Sequence, residues 1–176
     1  MTDLAQLDER IAKCRKILDL DPNSQIFAAL AEAHRKRGDL DDAFRICQNG
    51  LRIHPSYGSA HVVMAKVNLD RGLYDWAEVE GEKAAKLDGR TRAIELLLAE
   101  IFIYKGEYPK AVALLTKLHD ADPDNDQIQK LLDIAQKLPE ERTVRMSDPV
   151  MPEVVAPSLT VRSPRKPEAE SVSEQV

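Results

Sequence analysis

The fold is decided by residues 27–51, which read FAALAEAHRKRGDLDDAFRICQNGL. Before Gly38 the apolar residues recur at helical spacing, and after it a second helical run begins with Leu40 and Ala43. A glycine at this junction can adopt the left-handed conformation that ends a helix and permits a tight turn. The stretch therefore predicts two antiparallel helices joined at Gly38.

The same pattern occurs three times along the chain. Gly38, Gly72 and Gly106 follow one another at intervals of 34 residues. Four further sets keep this interval: Leu30, Met64 and Leu98; Ala31, Ala65 and Ala99; Leu40, Tyr74 and Tyr108; Ala43, Ala77 and Ala111. Five positions in register over three copies indicate an internal repeat of one helix pair.

Small residues and helix breakers give each unit its expected geometry. The two alanines of a copy, such as Ala31 and Ala43, are predicted to lie where the two helices cross closely. Pro55 and Pro123 end the second helices of copies one and three, and Gly89 stands at that place in copy two. Each copy is therefore expected to be a compact helical hairpin.

Helix, glycine turn, helix and proline turn at 34 residues resemble the tetratricopeptide repeat, over about residues 24–125. The bulky residue that opens the family's repeat is present as Phe27, whereas His61 and Glu95 replace it in the later copies. The resemblance implies an all-α fold, an α-solenoid of antiparallel helix hairpins wound into a right-handed superhelix.

The flanking segments extend the array to eight helices. Residues 9–22 resemble the second helix of a repeat, and Asp124 or Asn125 can N-cap a final amphipathic helix. The expected organisation is an array over residues 1–138, followed by a tail. Its parts are a half-repeat (4–22), three repeats (about 24–57, 58–91 and 92–125) and a capping helix (about 125–137).

Residues 139–176 differ in composition from the array. They hold six of the ten prolines and no glycine, cysteine, histidine or aromatic residue. Such a segment buries too little apolar surface to offset its conformational entropy, so it is predicted to be disordered. Within it, the segment 157–161 has apolar residues that could dock on the array, and Ser163-Pro164 resembles a proline-directed phosphorylation site.

Charge and composition exclude several classes of protein. The 25 basic and 30 acidic residues give a net charge of -5, which argues against a nucleic-acid-binding protein. No run of eighteen apolar residues is present, so no membrane insertion is expected. The first residues are acidic and lack an apolar core, so no secretory signal is visible. The two cysteines without a CxxC spacing fit a reducing compartment, and the predicted location is cytoplasmic.

No catalytic, metal or cofactor motif is found in the sequence. The four histidines, His34, His54, His61 and His119, form no HxxxH or HExxH pair. Cys14 and Cys47 are expected to be small buried residues of successive second helices. The alternating Glu78, Glu80 and Glu82 point to different sides of a helix and are interpreted as solvated charges. The sequence therefore predicts a protein that is not an enzyme, with no metal and no cofactor.

The resemblance implies binding of a protein or peptide partner in a concave groove lined by the first helices. The basic and asparagine clamp with which some relatives bind acidic chaperone tails is absent, because the matching positions hold Ala28, Glu32, Val63, Ala93 and Leu97. The groove is instead predicted to suit an amphipathic helix or an extended segment with apolar residues. The predicted groove residues are Gln25, Ala28, Glu32, Arg35, Ser59, Val62, Lys66, Leu69, Ala93, Leu96, Glu100 and Ile103.

Three functions remain open from the sequence. A scaffold or interaction module is the first, and a dedicated chaperone that resembles those of type III secretion translocators is the second. Self-association, or docking of the chain's own tail in the groove, is the third.

Overall fold

The computed structural model describes residues 4–137, which lie within one compact unit, Met1–Thr143. This range contains eight α-helices and no strand, so the predicted all-α repeat fold is confirmed. The predicted tail of residues 139–176, with its docking segment and Ser163-Pro164, lies outside the described residues. The helices are α1 (Leu4–Leu20), α2 (Phe27–Arg37), α3 (Leu40–Ile53), α4 (Gly58–Asp70), α5 (Tyr74–Asp88), α6 (Arg92–Lys105), α7 (Tyr108–Ala121) and α8 (Asp126–Lys137).

The three glycine junctions have the predicted left-handed backbone. Gly38, Gly72 and Gly106 have φ angles of 94°, 76° and 77°. After α2, the Gly38 N–H donates to the Arg35 carbonyl and the next N–H, of Asp39, donates to the carbonyl of His34. A side chain at these positions would strain the backbone, so the glycines fix the tight turn inside each hairpin.

Polar side chains begin the helices at two of the repeat boundaries. Asn125 Oδ1 accepts hydrogen bonds from the N–H groups of Gln127 and Ile128, at 3.1 Å each, and so caps α8 as predicted. Thr91 caps α6 through a 3.4 Å bond from the Ile94 N–H. Gly89, with φ 83°, follows the end of α5 and breaks the helix there.

The alanines of the repeat mark close helix crossings. Six of them have no solvent-exposed surface, as expected for small residues enclosed between packed helices. They are Ala31, Ala43, Ala65, Ala77, Ala99 and Ala111. Ala65 and Ala77 share one buried cluster, and Ala99 and Ala111 share another, which agrees with the predicted crossings in the second and third hairpins.

The positions that open the three first helices are buried whatever residue they hold. Phe27 packs against Gly50, where an added Cβ would lie 2.1 Å from the Phe27 ring. His61 Nδ1 instead lies 2.6 Å from a carboxylate oxygen of Glu80, which is itself buried. The interpretation of Glu80 as a solvated charge is therefore wrong, because this carboxylate is the interior partner of His61.

In the third copy, the residue at this buried position also has a charged partner. Glu95, the buried equivalent of Phe27 and His61, accepts a 2.8 Å hydrogen bond from Lys117 Nζ. The neighbours of Glu80 are likewise paired, Glu78 with Lys105 and Glu82 with Arg90. The three glutamates of α5 thus point to different sides of the helix, as predicted.

The order of contacts between helices defines the inner row of the array. Each helix packs on the next one along the chain, and the first helices α2, α4, α6 and α8 also pack on one another. The second helices α1, α3, α5 and α7 make no such contacts in the described part of the chain. The first helices are therefore closer together and line the concave face. Within residues 4–137, no helix combines the length and the hydrophobicity needed to cross a lipid bilayer.

Candidate functional site: the concave face

The concave face consists of the sides of α2, α4, α6 and α8 that point away from the second helices. Its helices are held from behind by the alanine crossings and by clusters of buried aliphatic residues. Of the twelve predicted groove residues, Gln25, Ser59 and Ala93 are exposed. Eight more are half-buried: Glu32, Arg35, Val62, Lys66, Leu69, Leu96, Glu100 and Ile103.

Ala28 offers no surface to a ligand. Its exposed fraction is 5%, and it packs in a core cluster with Phe27 and Ala60. The prediction that Ala28 lines the groove disagrees with this burial. The physical reason is that α2 packs on α4 at this level, so the side chain is covered by the neighbouring first helix.

The aliphatic groove residues also support the core. Val62 and Leu69 pack against the buried cluster of Ala65, Leu97 and Ile101. Leu96 and Ile103 pack in the same way against the larger cluster around α6, α7 and α8. Each side chain is therefore half core and half surface, and a charge placed at Leu96 would destabilise the fold as well as change the face.

An ion-pair network links α2 to α4. The Arg35 guanidinium donates to both carboxylate oxygens of Glu32, at 2.8 and 3.0 Å, and to Asp70 Oδ2 at 2.6 Å. The pKa of Arg35 is raised, chiefly because the hydrogen bonds to Glu32 stabilise its charged form. Because this bidentate fork is already occupied, Arg35 has little capacity left for a ligand.

Glu100 is the exception in this charge pattern. It is half-buried on α6, and within residues 4–137 no basic nitrogen lies within 4 Å of its carboxylate. Burial raises its pKa and repulsion from Asp70 adds to the effect, while Lys66 and Arg35 act in the opposite direction. The face therefore holds one partly dehydrated carboxylate without an ion-pair partner among these residues.

Lys66 is close to this carboxylate without neutralising it. The charge of Lys66, on α4, lowers the pKa of Glu32 and opposes the rise in the pKa of Glu100. It makes no ion pair within 4 Å among the described residues. Lys66 is consequently a second group on the face that is available to a ligand.

The final helix also contributes to the face, although its residues are not among the groove residues predicted from the sequence. Because α8 packs on α6 in the inner row, it takes the place of the first helix of a fourth repeat and also caps the array. Lys130 and Ile134 follow Leu96 and Glu100 by the repeat interval of 34 residues, and Ile134 is 45% exposed. Continuing the 34-residue register past Pro123 was the signal that could have found them.

The buried thiol of Cys47 does not resemble a catalytic nucleophile. Burial raises its pKa to about 12, with smaller contributions from Glu80 and Glu32. At neutral pH it therefore stays protonated, and its Sγ donates a 3.4 Å hydrogen bond to the Ala60 carbonyl. Cys14 and Cys47 are both buried and unpaired, as expected for small core residues.

One group of side chains has the composition of a metal site. Single ligand atoms of His34, Asp39 and Asp42 lie within 4.8 Å of one another at the turn between α2 and α3. However, the Arg37 guanidinium pairs with Asp39, and Arg45 pairs with Asp42. With both carboxylates already bound to arginines, the group is best described as an ion-pair network that holds the turn.

The comparisons with known proteins agree with this architecture. The family described as tetratricopeptide repeat matches residues 93–127, which include all of α6 but its first residue and the whole of α7. No curated protein sequence matches the chain. Several solved structures share the fold at low sequence identity.

Three of these structures are representative. A thermophilic TPR protein of Thermus thermophilus, TTC0263, has a TM-score of 0.65 and 22% identity, covering 77% of this chain and 75% of its own. YrrB, described as a TPR protein with an unusual peptide-binding site, has a TM-score of 0.62 and 13% identity over 69% and 63%. The second TPR domain of human RPAP3, solved with the HSP70 peptide SGPTIEEVD, has a TM-score of 0.55 and 18% identity over 61% and 90%.

Proposed function

We propose that the chain, which has the fold of tetratricopeptide repeat proteins, is a non-catalytic interaction module that binds a partner peptide or helix on its concave face. The observation that supports this most directly is the inner row of first helices, which presents half-buried aliphatic and charged side chains together. Half-buried aliphatic groups gain about 25 cal/mol per Å² when a partner covers their remaining surface, before association costs are subtracted.

Similar proteins support a peptide as the ligand. YrrB and the RPAP3 domain are both described as binding peptides, and their folds superpose on this chain. The acidic peptide of the RPAP3 complex is nevertheless a poor candidate here. Glu32 stands where the family's clamp would place a polar or basic group, and Glu100 adds a further negative charge to the face.

A cytoplasmic location is part of the proposal. Cys14 and Cys47 are buried without a disulfide, which fits a compartment that keeps thiols reduced. The partner is therefore sought among proteins of the same compartment.

The test is a pull-down with the full chain, followed by mass spectrometry. Ala93→Trp adds bulk at an exposed position of α6 on the concave face, and it should remove the partner without unfolding the array. Ala113→Trp places the same bulk at an exposed position of α7, outside the inner row, and should leave the partner bound. If both variants still retain the partner, the interaction lies elsewhere on the molecule.

The recovered proteins also separate the two forms of the proposal. Several subunits of one assembly would indicate a scaffold, whereas a single dominant partner held before its assembly would indicate a dedicated chaperone. A second copy of the chain would compete for the same face, and sedimentation over a range of protein concentrations measures this. The segment 157–161, outside the described residues, is tested as a competitor with a synthetic peptide.

A further inference from the structure

Of the three carboxylates Glu32, Asp70 and Glu100 on the concave face, only Glu100 lacks an ion-pair partner in the described part of the chain. Glu32 pairs with Arg35 and Lys36, and Asp70 pairs with Arg35. Arg35 is bound to Glu32 and Asp70 at once, and the Lys66 ammonium lies more than 4 Å from any carboxylate of residues 4–137. Glu100 is therefore the unpaired carboxylate among these three, and the array has half removed it from water.

A carboxylate in this position, with no ion-pair partner in the described part of the chain, destabilises the free protein. Burial penalises its charged form, and Asp70 repels it. A bound cation would relieve both effects, because its N–H groups would replace the lost water and its charge would offset Asp70. A carboxylate on the ligand would have the opposite result, since it would add a third negative charge beside Asp70 and Glu100.

Aliphatic side chains also flank Glu100. Leu96 and Ile103 lie on the same helix, one turn before and one turn after it, and both keep part of their surface exposed. Ile134 occupies the equivalent position of the adjacent first helix α8 and is 45% exposed. A positive side chain at Glu100 would therefore have apolar surface on either side.

From this arrangement we propose that the concave face between α4, α6 and α8 binds a protein segment in which an arginine or lysine stands next to a branched aliphatic residue. Glu100 accepts the hydrogen bonds of the cation, and Leu96, Ile103 and Ile134 contact the aliphatic neighbour. This inference rests on the proposed function and specifies the partner's chemistry. Lys130, exposed on α8, is not among the charges that act on Glu100 and does not compete for it.

The experiment is a selection of phage-displayed random 12-residue peptides on the immobilised full chain. We expect the wild-type protein to enrich peptides with Arg or Lys beside Val, Ile or Leu. The variant Glu100→Gln, which keeps the shape and removes the charge, should lose this basic preference. The matched control Glu82→Gln makes the same change on α5, outside the inner row, and should keep it.

The most enriched peptide is then synthesised and titrated against the three proteins. Glu100→Gln should weaken its binding at least tenfold, and Glu82→Gln should leave it unchanged. Replacing the peptide's arginine by citrulline, its neutral analogue, should weaken binding to the wild-type chain by a similar factor and have little effect with Glu100→Gln. This second arm uses the wild-type fold, so it remains decisive if Glu100→Gln does not fold.

The outcomes separate this inference from the function on which it rests. If no peptide is enriched by the wild-type chain, the peptide-binding function and this inference both fail. If peptides are enriched without a basic residue, or if citrulline binds as well as arginine, the proposed function stands and the role of Glu100 is overturned.

Discussion

His61 and Glu80 form a buried polar contact in which hydrogen positions can be assigned from the partners. His61 Nε2 lies 2.9 Å from the Pro55 carbonyl oxygen, which can only accept, so Nε2 donates. Nδ1 then faces the Glu80 carboxyl at 2.6 Å, and one proton lies between them. The contact fixes both the ring of His61 and the position of α5 behind α4.

Glu80→Leu should therefore lower the free energy of unfolding by about 1–3 kcal/mol, because Nδ1 of the buried imidazole loses its partner. Lys83→Ala is the matched control, since Lys83 contacts the same carboxylate at 2.6 Å from an exposed position and should contribute at most about 1 kcal/mol. Urea denaturation of both variants measures the difference. Equal losses would show that the interior contact is no stronger than the surface one.

The double variant His61→Leu/Glu80→Leu separates two effects. The pair either stabilises the fold by itself, or each buried group only destabilises the fold when its partner is removed. With both polar groups removed, no buried nitrogen is left unsatisfied, and stability should recover relative to Glu80→Leu. A favourable coupling of about 0.5–3 kcal/mol is expected in the double-mutant cycle. A strictly additive result would contradict the direct contact.

Glu100→Gln should raise the melting temperature at neutral pH. The pKa of Glu100 is higher in the folded chain than its ordinary value, so the folded state binds this proton more tightly than the unfolded state. Wild-type stability from this group is accordingly present below the unfolded pKa and is lost as the pH rises through the folded pKa. The gain from Gln should appear at pH 7.5 and vanish in acid, where Glu100 is protonated.

Thermal unfolding followed by circular dichroism at both pH values measures this effect. Glu82→Gln, which removes an ion pair to Arg90, should give no gain at pH 7.5. A lower melting temperature for Glu100→Gln would mean that the carboxylate has a stabilising partner. A variant that is more stable but binds less well would place Glu100 among residues kept for function at the expense of stability.

At the scale of the helices, the alanine crossings hold each hairpin together. Ala77, on α5, has no exposed surface and packs against α4 in one buried cluster with Ala65. Ala77→Leu should force these helices apart and lower the free energy of unfolding by about 1–3 kcal/mol. Ala113→Leu, at an exposed position of α7, adds the same atoms and should change stability by less than about 0.5 kcal/mol.

Hydrogen exchange shows where the damage of Ala77→Leu spreads. Because repeat arrays couple mainly to nearest neighbours, faster exchange is expected in α2, α3, α6 and α7 as well as in the altered hairpin. Uniformly faster exchange from α1 to α8 would instead indicate that the eight helices unfold as one unit.

The first and last described helices differ from the others at the crossing positions. Arg10 precedes Cys14 by four residues, as Ala43 precedes Cys47, and Asp133 follows Ala99 by the repeat interval. The positions that are alanine inside the array are thus charged on α1 and α8, beyond which the described residues pack no further helix. Arg10 is exposed and Asp133 is half-buried, so neither charge is forced into the core.

Much of this architecture could be predicted because it depends on backbone conformation and on size. A left-handed turn requires Gly38, and a close crossing requires Ala43, so both leave marks at fixed spacing. The position of Glu80 could not be found in this way, because its partner His61 lies on another helix. Nor could helical phase alone show that Leu96 is half core, since this depends on the packing of α6 against its neighbours.

At the scale of the whole array, a ligand on the concave face should stabilise the helices that it touches and those packed directly behind them. The proposed site lies on α4, α6 and α8, which form one row, α6 contacting both of the others, and which also pack on α5 and α7. A bound segment adds free energy to every partly open state in which these helices remain folded. Among the described helices, α1 contacts only α2 and lies outside this set.

Saturation with the selected 12-residue peptide should therefore slow amide exchange in α4 to α8 and leave α1 nearly unchanged. Hydrogen exchange with mass spectrometry on the full chain measures this helix by helix. Glu100→Gln at the same peptide concentration should show much less protection, and Glu82→Gln should match the wild type. Protection strongest in α1 and α3, with little in α6, would instead place the ligand on the convex side near the start of the array and contradict the concave site.

Because slowed exchange in α5 and α7 requires transmission through the alanine crossings, combining the peptide with Ala77→Leu gives a further check. The loosened hairpin should transmit less protection to α5, while α8, which lies beyond the altered crossing, should remain protected through its contact with α6.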